Sequence, residues 1–428
     1  MIRATCDVLV VGGGPAGIAA ASRAAELGAR TLLVDEGLAP GGQIWRASHA
    51  SLQGATARRW VDRLARSGAA IRSSTSVVDV EPMSDRFRVV ADAQGDVISI
   101  DAGAVVLATG ARERFLPFPG WTLPNVVGVG GGQALMKSGM PVRGKRVVVA
   151  GTGPLVLAVA ASFASHGAHV RFVAEQAPFP RLARFAASLW RTPSRAGQAL
   201  AMRATLGVAR YLTGTWIARA DGASRVESVT LTDGLAGEDS RTIECDILCA
   251  AFGLLPNLEL ARFAGCAIGA DGVQTDDEQA TSVAGIFCAG EPTGIGGVDL
   301  SLVEGEIGGT AAAGGSPSRR FIARRARLRR DATLLAETFA LRPELLTLAN
   351  DETIVCRCED VRLGELDRSW TFRQAKLYTR LGMGPCQGRT CAAALECLWA
   401  WPPEAPRPPI QPARVVAFLG AADDASLT

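Results

Sequence analysis

Short apolar runs that end on glycine alternate with Ala-rich stretches of helical length, and the alternation occurs twice. Val8–Glu36 reads "VLVVGGGPAGIAAASRAAELGARTLLVDE" and Val147–Glu175 reads "VVVAGTGPLVLAVAASFASHGAHVRFVAE". Aligned without a gap, 12 of the 29 positions are identical, among them Gly12/Gly151, Gly14/Gly153, Pro15/Pro154 and Gly28/Gly167. Each copy predicts an apolar strand, a glycine turn, a helix, a "GA" turn and a second apolar strand. That order is a βαβ unit, and two of them predict an α/β protein with two doubly wound, Rossmann-like domains.

The first domain does not end where the second begins. "VVLATG" at 105–110 reads as a buried strand closing on glycine, and "IFCAGE" at 286–291 has the same character, followed by the helix-like "LSLVEGEIGGTAAAGG". The domains are therefore expected to interleave: 1–117 and 281–315 form one, and 118–280 is the second, inserted between its parts. Seven arginines between Arg319 and Arg330 predict a solvated basic linker helix at 316–340, or else a docking face for an acidic partner. A small cysteine-bearing domain at 341–405 and a Pro-rich tail at 406–428, with a last strand in "RVVAFL", complete the chain.

Composition narrows this little further. The chain of 428 residues is 48% apolar and 20% charged, as in globular proteins. A net charge of +3 implies no nucleic-acid partner. The chain enters its first strand at once, which predicts no leader peptide, and "GTGP" breaks the longest apolar stretch, which predicts no membrane span. A cytoplasmic place is expected, or a peripheral one at the inner membrane through a complex; there, clustered cysteines bind metal more often than they form disulfides.

The first glycine turn carries G-x-G-x-x-G at Gly12, Gly14 and Gly17, with Pro15 and Ala16 opening the helix and Asp35 and Glu36 lying 18 and 19 residues beyond Gly17. Gly12 permits the turn, Gly14 lets backbone approach a diphosphate, and Gly17 lets helix and strand close up. The helix N-terminus favours the phosphates, and an acid at the end of the second strand, first of all Asp35, can accept from ribose hydroxyls. With "PGGQI" at 40–44, "LATG" at 107–110 and "CAGE" at 288–291, the set resembles the two-dinucleotide-domain flavoproteins of the pyridine nucleotide-disulfide reductase-like group. The resemblance implies FAD in the first domain, Gly42 and Gln43 against the isoalloxazine, Thr109 and Gly110 in the contacting set, and Gly290 with Glu291 at the ribityl chain.

The second turn is less complete. Val156 stands in the third glycine position, and Ala174 aligns with Asp35, although Glu175 matches Glu36. No arginine is placed for a 2′-phosphate. NAD, another adenine nucleotide such as ATP, or a scaffold that binds nothing remain open here.

Cys356-x-Cys358 and Cys386-x4-Cys391, 27 residues apart, supply four soft ligands. A C-x-C start is unusual for structural zinc, and Gly382, Gly384 and Gly388 leave backbone N–H groups free for cluster sulfurs, so a [2Fe–2S] centre is preferred over zinc. Cys391 is expected to open a helix whose N-terminus suits an anionic cluster. Cys6, Cys245, Cys249, Cys266, Cys288 and Cys397 read as core thiols. There is no C-x-x-C, so no thioredoxin-reductase dithiol. The three histidines, His49, His166 and His169, suggest no acid–base catalyst.

"VDEGLAPGGQIWR", "PFPGWTLPNVVGVGGGQALMKSG", "FGLLPN" and "CRCEDV…GMGPCQGRTC", in this order, resemble the FAD-containing α (A) subunit of opine oxidases, hydrogen cyanide synthase, dye-linked proline dehydrogenase and D-hydroxyproline dehydrogenase. The cysteine motif is similar to bacterioferritin-associated ferredoxin, with C-x4-C where that family has C-x2-C. The resemblance implies an electron-transferring role beside a flavoprotein subunit of the amine-oxidase-like type, joined in some complexes by a small ferredoxin-like subunit. It leaves room for NAD or ATP at the second turn, or FMN at a subunit interface. The alternatives are a self-contained NADH-dependent reductase and a zinc-stabilised scaffold without redox work.

Overall fold

The computed structural model describes residues 2–45, 55–93, 96–189, 193–233, 240–402 and 407–417. The chain divides into two units: Met1–Arg112, Leu255–Thr333 and Ala405–Thr428 in the first, and Glu113–Leu254 with Leu334–Glu404 in the second.

In the first unit a seven-stranded sheet has the order β3 (Ala70–Arg72), β2 (Thr31–Val34), β1 (Ile2–Val11), β6 (Asp96–Leu107), β5 (Phe87–Ala93), β4 (Thr75–Pro82), and the strand Ile286–Cys288 also pairs with β6. β6 is long enough to serve two purposes. On one side it runs parallel to β1 from Ile98 to Leu107, setting Leu107 beside Val11; on the other its first half pairs antiparallel with β5 and its last residues, Val105–Leu107, run parallel to Ile286–Cys288. The strands β1 and β2 are apolar on nearly every position near their ends because both sheet faces are covered. α1 (Pro15–Glu26) lies on one face and meets the helix Val298–Ala312 through glycines. A Cβ on Gly305 would fall 2.2 Å from the Ala16 carbonyl oxygen, and one on Gly309 2.3 Å from that of Ala20. This is why "EGEIGG" interrupts an otherwise Leu- and Val-rich helix.

Several expectations are revised here. The chain returns to the first unit at Leu255, earlier than the expected 281, because Leu260, Ala261 and Cys266 pack into the core of its sheet. The basic helix, Arg319–Thr338, is not uniformly solvated: Leu328 is buried against Leu300, Val303 and Ile307, flanked by Phe321, Ile322 and Ala332. Its apolar stripe is hidden in the sequence by the arginines around it. Arg325 and Arg329 leave on the same face, Arg325 to Asp277 at 2.7 Å and Arg329 to the buried Glu304 at 2.7 Å. No last strand forms at 414–417; the tail turns into a helical turn, with Ile410 buried in the sheet core and Ala417 against Val78, Val90 and Val97.

The second unit contains a five-stranded parallel sheet in the order Arg210–Thr213, His169–Glu175, Arg146–Gly151, Ile247–Ala251, Val126–Gly128. A three-stranded antiparallel sheet (Trp216–Asp221, Ser228–Thr232, Arg241–Glu244) shares its core. The cysteine-bearing segment groups with this unit and has a small core of its own around Phe372, Leu381, Leu395 and Trp401. Its helix Phe372–Thr379 starts on a capping box, Thr371 with Gln374. Among the described residues, no helix is long and apolar enough to cross a membrane.

Candidate functional site

The first glycine turn is built so tightly that its residue types are dictated. Gly12 has φ +105°, and a Cβ there would lie 2.3 Å from the Ala108 carbonyl oxygen; one on Gly17 would lie 1.8 Å from that of Gly12. Gly14, the N-cap of α1, has nothing within 4 Å on that side, so the helix N-terminus beyond Pro15 and the buried Ala16 faces open space. The loop "PGGQ" folds over the turn: Gly41 N–H donates to the Gly13 carbonyl at 2.7 Å, and a Cβ on Gly42 would lie 2.9 Å from Gly14 Cα. Gln43 is exposed.

Asp35, 9% exposed, accepts from Gly13 N–H and, at 2.8 Å, from Gly37 N–H. It ties the turn to the end of β2, and its remaining lone pairs are what a ribose could use. Glu36 is exposed and lines a cavity of about 360 Å³ with Ser74 and Ser76. Thr109 and Gly110 are joined to a residue that the sequence reading left without a role, Asn257 of "FGLLPN". Thr109 Oγ1 donates to the Asn257 carbonyl at 2.9 Å, Asn257 Nδ2 donates to the Thr109 carbonyl at 2.8 Å, and Asn257 N–H donates to the Gly110 carbonyl at 3.0 Å.

Gly290 and Glu291 follow the strand Ile286–Cys288. Glu291 Oε1 accepts Gly297 N–H at 2.8 Å, while its Oε2 is buried without a hydrogen-bond partner, and burial raises the carboxyl pKa. An orphaned buried acceptor is costly unless a ligand hydroxyl completes it. Together with the open helix N-terminus and the free face at Gly14, it makes the residues fit FAD. Beneath them lies Glu304, fully buried, accepting from Gly290 N–H and Thr293 Oγ1, each at 2.9 Å. The two acids inside the otherwise apolar "SLVEGEIGG", Glu304 and Glu306, were the available signal for it.

The second turn repeats this design with one shift. Strand His169–Glu175 carries a register irregularity between Val170 and Phe172, so Ala150 pairs with Ala174 where Val11 pairs with Val34. The structural counterpart of Asp35 is therefore Glu175, not Ala174. Glu175 accepts Gly153 N–H and Ala177 N–H, both at 2.9 Å, as Asp35 accepts those of Gly13 and Gly37. Burial pushes its pKa up to about 7. Val156 is accommodated fully buried. Over this turn lies the chain's own backbone: Thr152 Oγ1 donates to the Phe339 carbonyl at 3.1 Å, Gln176 Nε2 to that of Ala340 at 2.9 Å, and Arg342 N–H to Gln176 Oε1 at 2.9 Å. His166 and His169 stand in and just after the turn that follows helix Pro154–Ser165; His49 lies outside the described residues.

The four cysteines line one cavity of about 510 Å³ in the second unit, with Glu113, Trp121 and Leu135. They stand as two pairs. The neighbouring Cys391 side chain draws the Cys356 pKa down to about 6, helped by the N–H groups of Gly382, Glu359 and Cys358, while Cys391 Sγ also lies 3.8 Å from the Gly388 carbonyl. Cys358 meets Cys386, whose N–H it also accepts. Gly384 presses on Cys358, where a Cβ would lie 2.2 Å from the cysteine Cβ. Cys391 opens the helix Cys391–Trp399, as expected. Among the described residues, no group of three or more His, Cys, Asp or Glu side chains is arranged to hold one metal ion. The two thiol pairs with their backbone donors are the soft ligands that a metal centre at this place would use. Glu113, which sequence reading missed, accepts Gly130 and Gly131 N–H at 2.7 and 3.0 Å on the cavity wall.

Residues 6–312 match the family described as pyridine nucleotide-disulphide oxidoreductase. Among similar proteins, the A-subunit of opine oxidase from Rhizobium meliloti is 33% identical, covering 92% of both chains. The HcnB subunit of hydrogen cyanide synthase from Pseudomonas aeruginosa is 30% identical over 90% of both. L-Proline dehydrogenase from P. horikoshii has the same fold, with a TM-score of 0.71 and 22% identity over 97% of this chain and 80% of that one.

Proposed function

Because the chain belongs to the pyridine nucleotide-disulphide oxidoreductase family, we propose that it is the electron-transferring FAD and iron–sulfur subunit of a multi-subunit amino- or imino-acid dehydrogenase. The substrate class is D-hydroxyproline, proline or opines, oxidised on a partner flavoprotein, with the electrons drained to an external acceptor. Support comes from relatives that are themselves named as subunits. The observation that carries the reading is the convergence of all four cysteines of two distant segments on one cavity. Bound at these two places, FAD supplies two-electron chemistry and a [2Fe–2S] cluster single-electron transfer.

The chain's residues serve that role by holding groups. Asp35 and Glu304 fix the loops around the flavin site, and the N–H groups of Gly382, Glu359 and Cys358 favour a thiolate at Cys356. Purified alone, the chain should contain FAD and about two irons and be inert toward the amino acid. Robust turnover without any companion protein, or material with neither flavin nor iron, ends this reading.

A self-contained NADH-dependent reductase is the second reading, favoured by the equivalence of Glu175 and Asp35. Anaerobic bleaching of the flavin by NADH would support it.

A further inference from the structure

The acid at the end of β2 marks the ribose of a dinucleotide whose diphosphate sits on α1, so the adenine must lie further along the same edge, toward β3 and β4. The cavity there is walled by Glu36, Ser74, Ser76, Asp92 and, from the far end of the chain, Pro412 and Arg414. The tail reaches this place by a specific attachment. Ile410 N–H donates to the Val78 carbonyl at 3.1 Å, and the Ile410 side chain is buried. Arg414 then grips the β5–β6 hairpin. Its Nε donates to Asp92 Oδ1 at 2.9 Å, its Nη2 to the carbonyls of Ala93 at 2.7 Å and Asp96 at 3.0 Å, and its backbone N–H to Asp92 Oδ2 at 3.1 Å. Such a multiply bonded guanidinium fixes geometry in a way that a lysine could not.

We propose that the C-terminal segment Ile410–Ala417 is the outer wall of the adenine pocket, latched by Arg414 on Asp92, and that the latch governs retention of the adenosine half of FAD. This rests on the FAD reading above. Without the latch, the pocket loses its Pro412–Arg414 side and the adenine becomes open to water. The isoalloxazine end, held by the "PGGQ" loop and Glu291, is untouched.

The test uses the full chain with Arg414→Ala and, separately, Asp92→Asn; Arg414 is exposed, and the asparagine is isosteric with the partly buried Asp92, so folding should survive. FAD release, followed by recovery of flavin fluorescence on dilution, should be roughly five- to tenfold faster in both variants, while FMN, which lacks the adenosine, should bind the stripped variants as it binds the stripped wild type. Release at the wild-type rate overturns the proposal, and so does an equal loss of FMN affinity. Wild-type chain purified without flavin would instead strike the FAD reading itself, and this inference with it.

Discussion

Glu304 accepts the backbone N–H of Gly290 at 2.9 Å from a fully buried position, so the loop that precedes Glu291 is held by a charge inside the protein. Arg329 faces the other carboxylate oxygen at 2.7 Å, an ion pair without the alignment of a hydrogen bond. Removing one partner of such a pair leaves an uncompensated charge. Arg329→Ala is expected to cost about 3 kcal/mol in denaturant unfolding, the low end for a buried pair because about a third of the Arg329 side chain is in water. Adding Glu304→Gln should recover part of the loss, since an amide oxygen can still accept from Gly290 and Thr293. Additive costs in the double variant would contradict this account.

The contact of α1 with the helix Val298–Ala312 depends on hydrogen in place of methyl. At Gly305 a Cβ would lie 2.2 Å from the Ala16 carbonyl oxygen, a position that rigid backbone cannot vacate. Gly305→Ala should destabilise the first unit by about 1–3 kcal/mol and lower the flavin content, read from the visible spectrum of the purified protein. Gly197→Ala, inside the helix Pro193–Thr205 where nothing lies within 4 Å, controls for the effect of losing a glycine.

The glycine turns and the two βαβ units could be read from sequence because their spacing is dictated by local geometry. The equivalence of Glu175 with Asp35 could not, since a one-residue irregularity in an apolar strand leaves no mark in composition. The apolar stripe Phe321, Leu328, Ala332 was masked by seven arginines. The latch of Arg414 on Asp92 joins residues more than three hundred positions apart, beyond any periodicity. The cysteine pairs were legible as a set, but the pairing of Cys356 with Cys391 and Cys358 with Cys386 is a property of the fold.

Glu175 gives the second unit a pH dependence of definite sign. Burial raises its pKa from an ordinary 4.5 to about 7, so between these values the folded state binds more protons than the unfolded one. Its contribution is fully present below about pH 4.5 and is lost as pH rises through 7, a change of about 3 kcal/mol for a shift of this size. Stability of the second unit, followed by denaturant unfolding from pH 5 to 8, should fall more steeply in the wild type than in Glu175→Gln. Parallel curves would show that Glu175 does not titrate in this range.

Loss of any one of the four cavity cysteines should break the iron centre, whereas nearby thiols should not matter. Cys386→Ser, at a partly exposed site, is expected to lower iron to less than about a quarter of wild type with FAD retained. Cys397→Ala, on the helix that Cys391 opens but away from the cavity lining, should leave iron unchanged. Iron analysis with electron paramagnetic resonance of the reduced protein separates the two. Zinc in place of iron in freshly purified wild type would favour the scaffold reading.

The second glycine turn spends its polar side chains on the chain itself. Thr152 stands between the two turn glycines and Gln176 follows the ribose-type acid, and both are bonded to backbone at Phe339, Ala340 and Arg342. Arg342 is further fixed by Trp216, 4.6 Å from the ring centroid, and by Glu344 at 2.5 Å. A dinucleotide entering this turn would have to displace hydrogen bonds that bury Gln176 completely, so its binding free energy is reduced by the cost of breaking them, about 1–3 kcal/mol for each buried group left unpaired. NADH is therefore expected to leave the flavin of the wild-type chain oxidised over minutes under anaerobic conditions, while dithionite bleaches it at once. Gln176→Leu, which strips the Ala340 carbonyl and the Arg342 N–H of their partner, should lower the unfolding midpoint of the second unit and loosen this cover. Stoichiometric bleaching of the wild type by NADH within seconds would mean that the segment yields readily, and the self-contained reductase would become the better description of the chain.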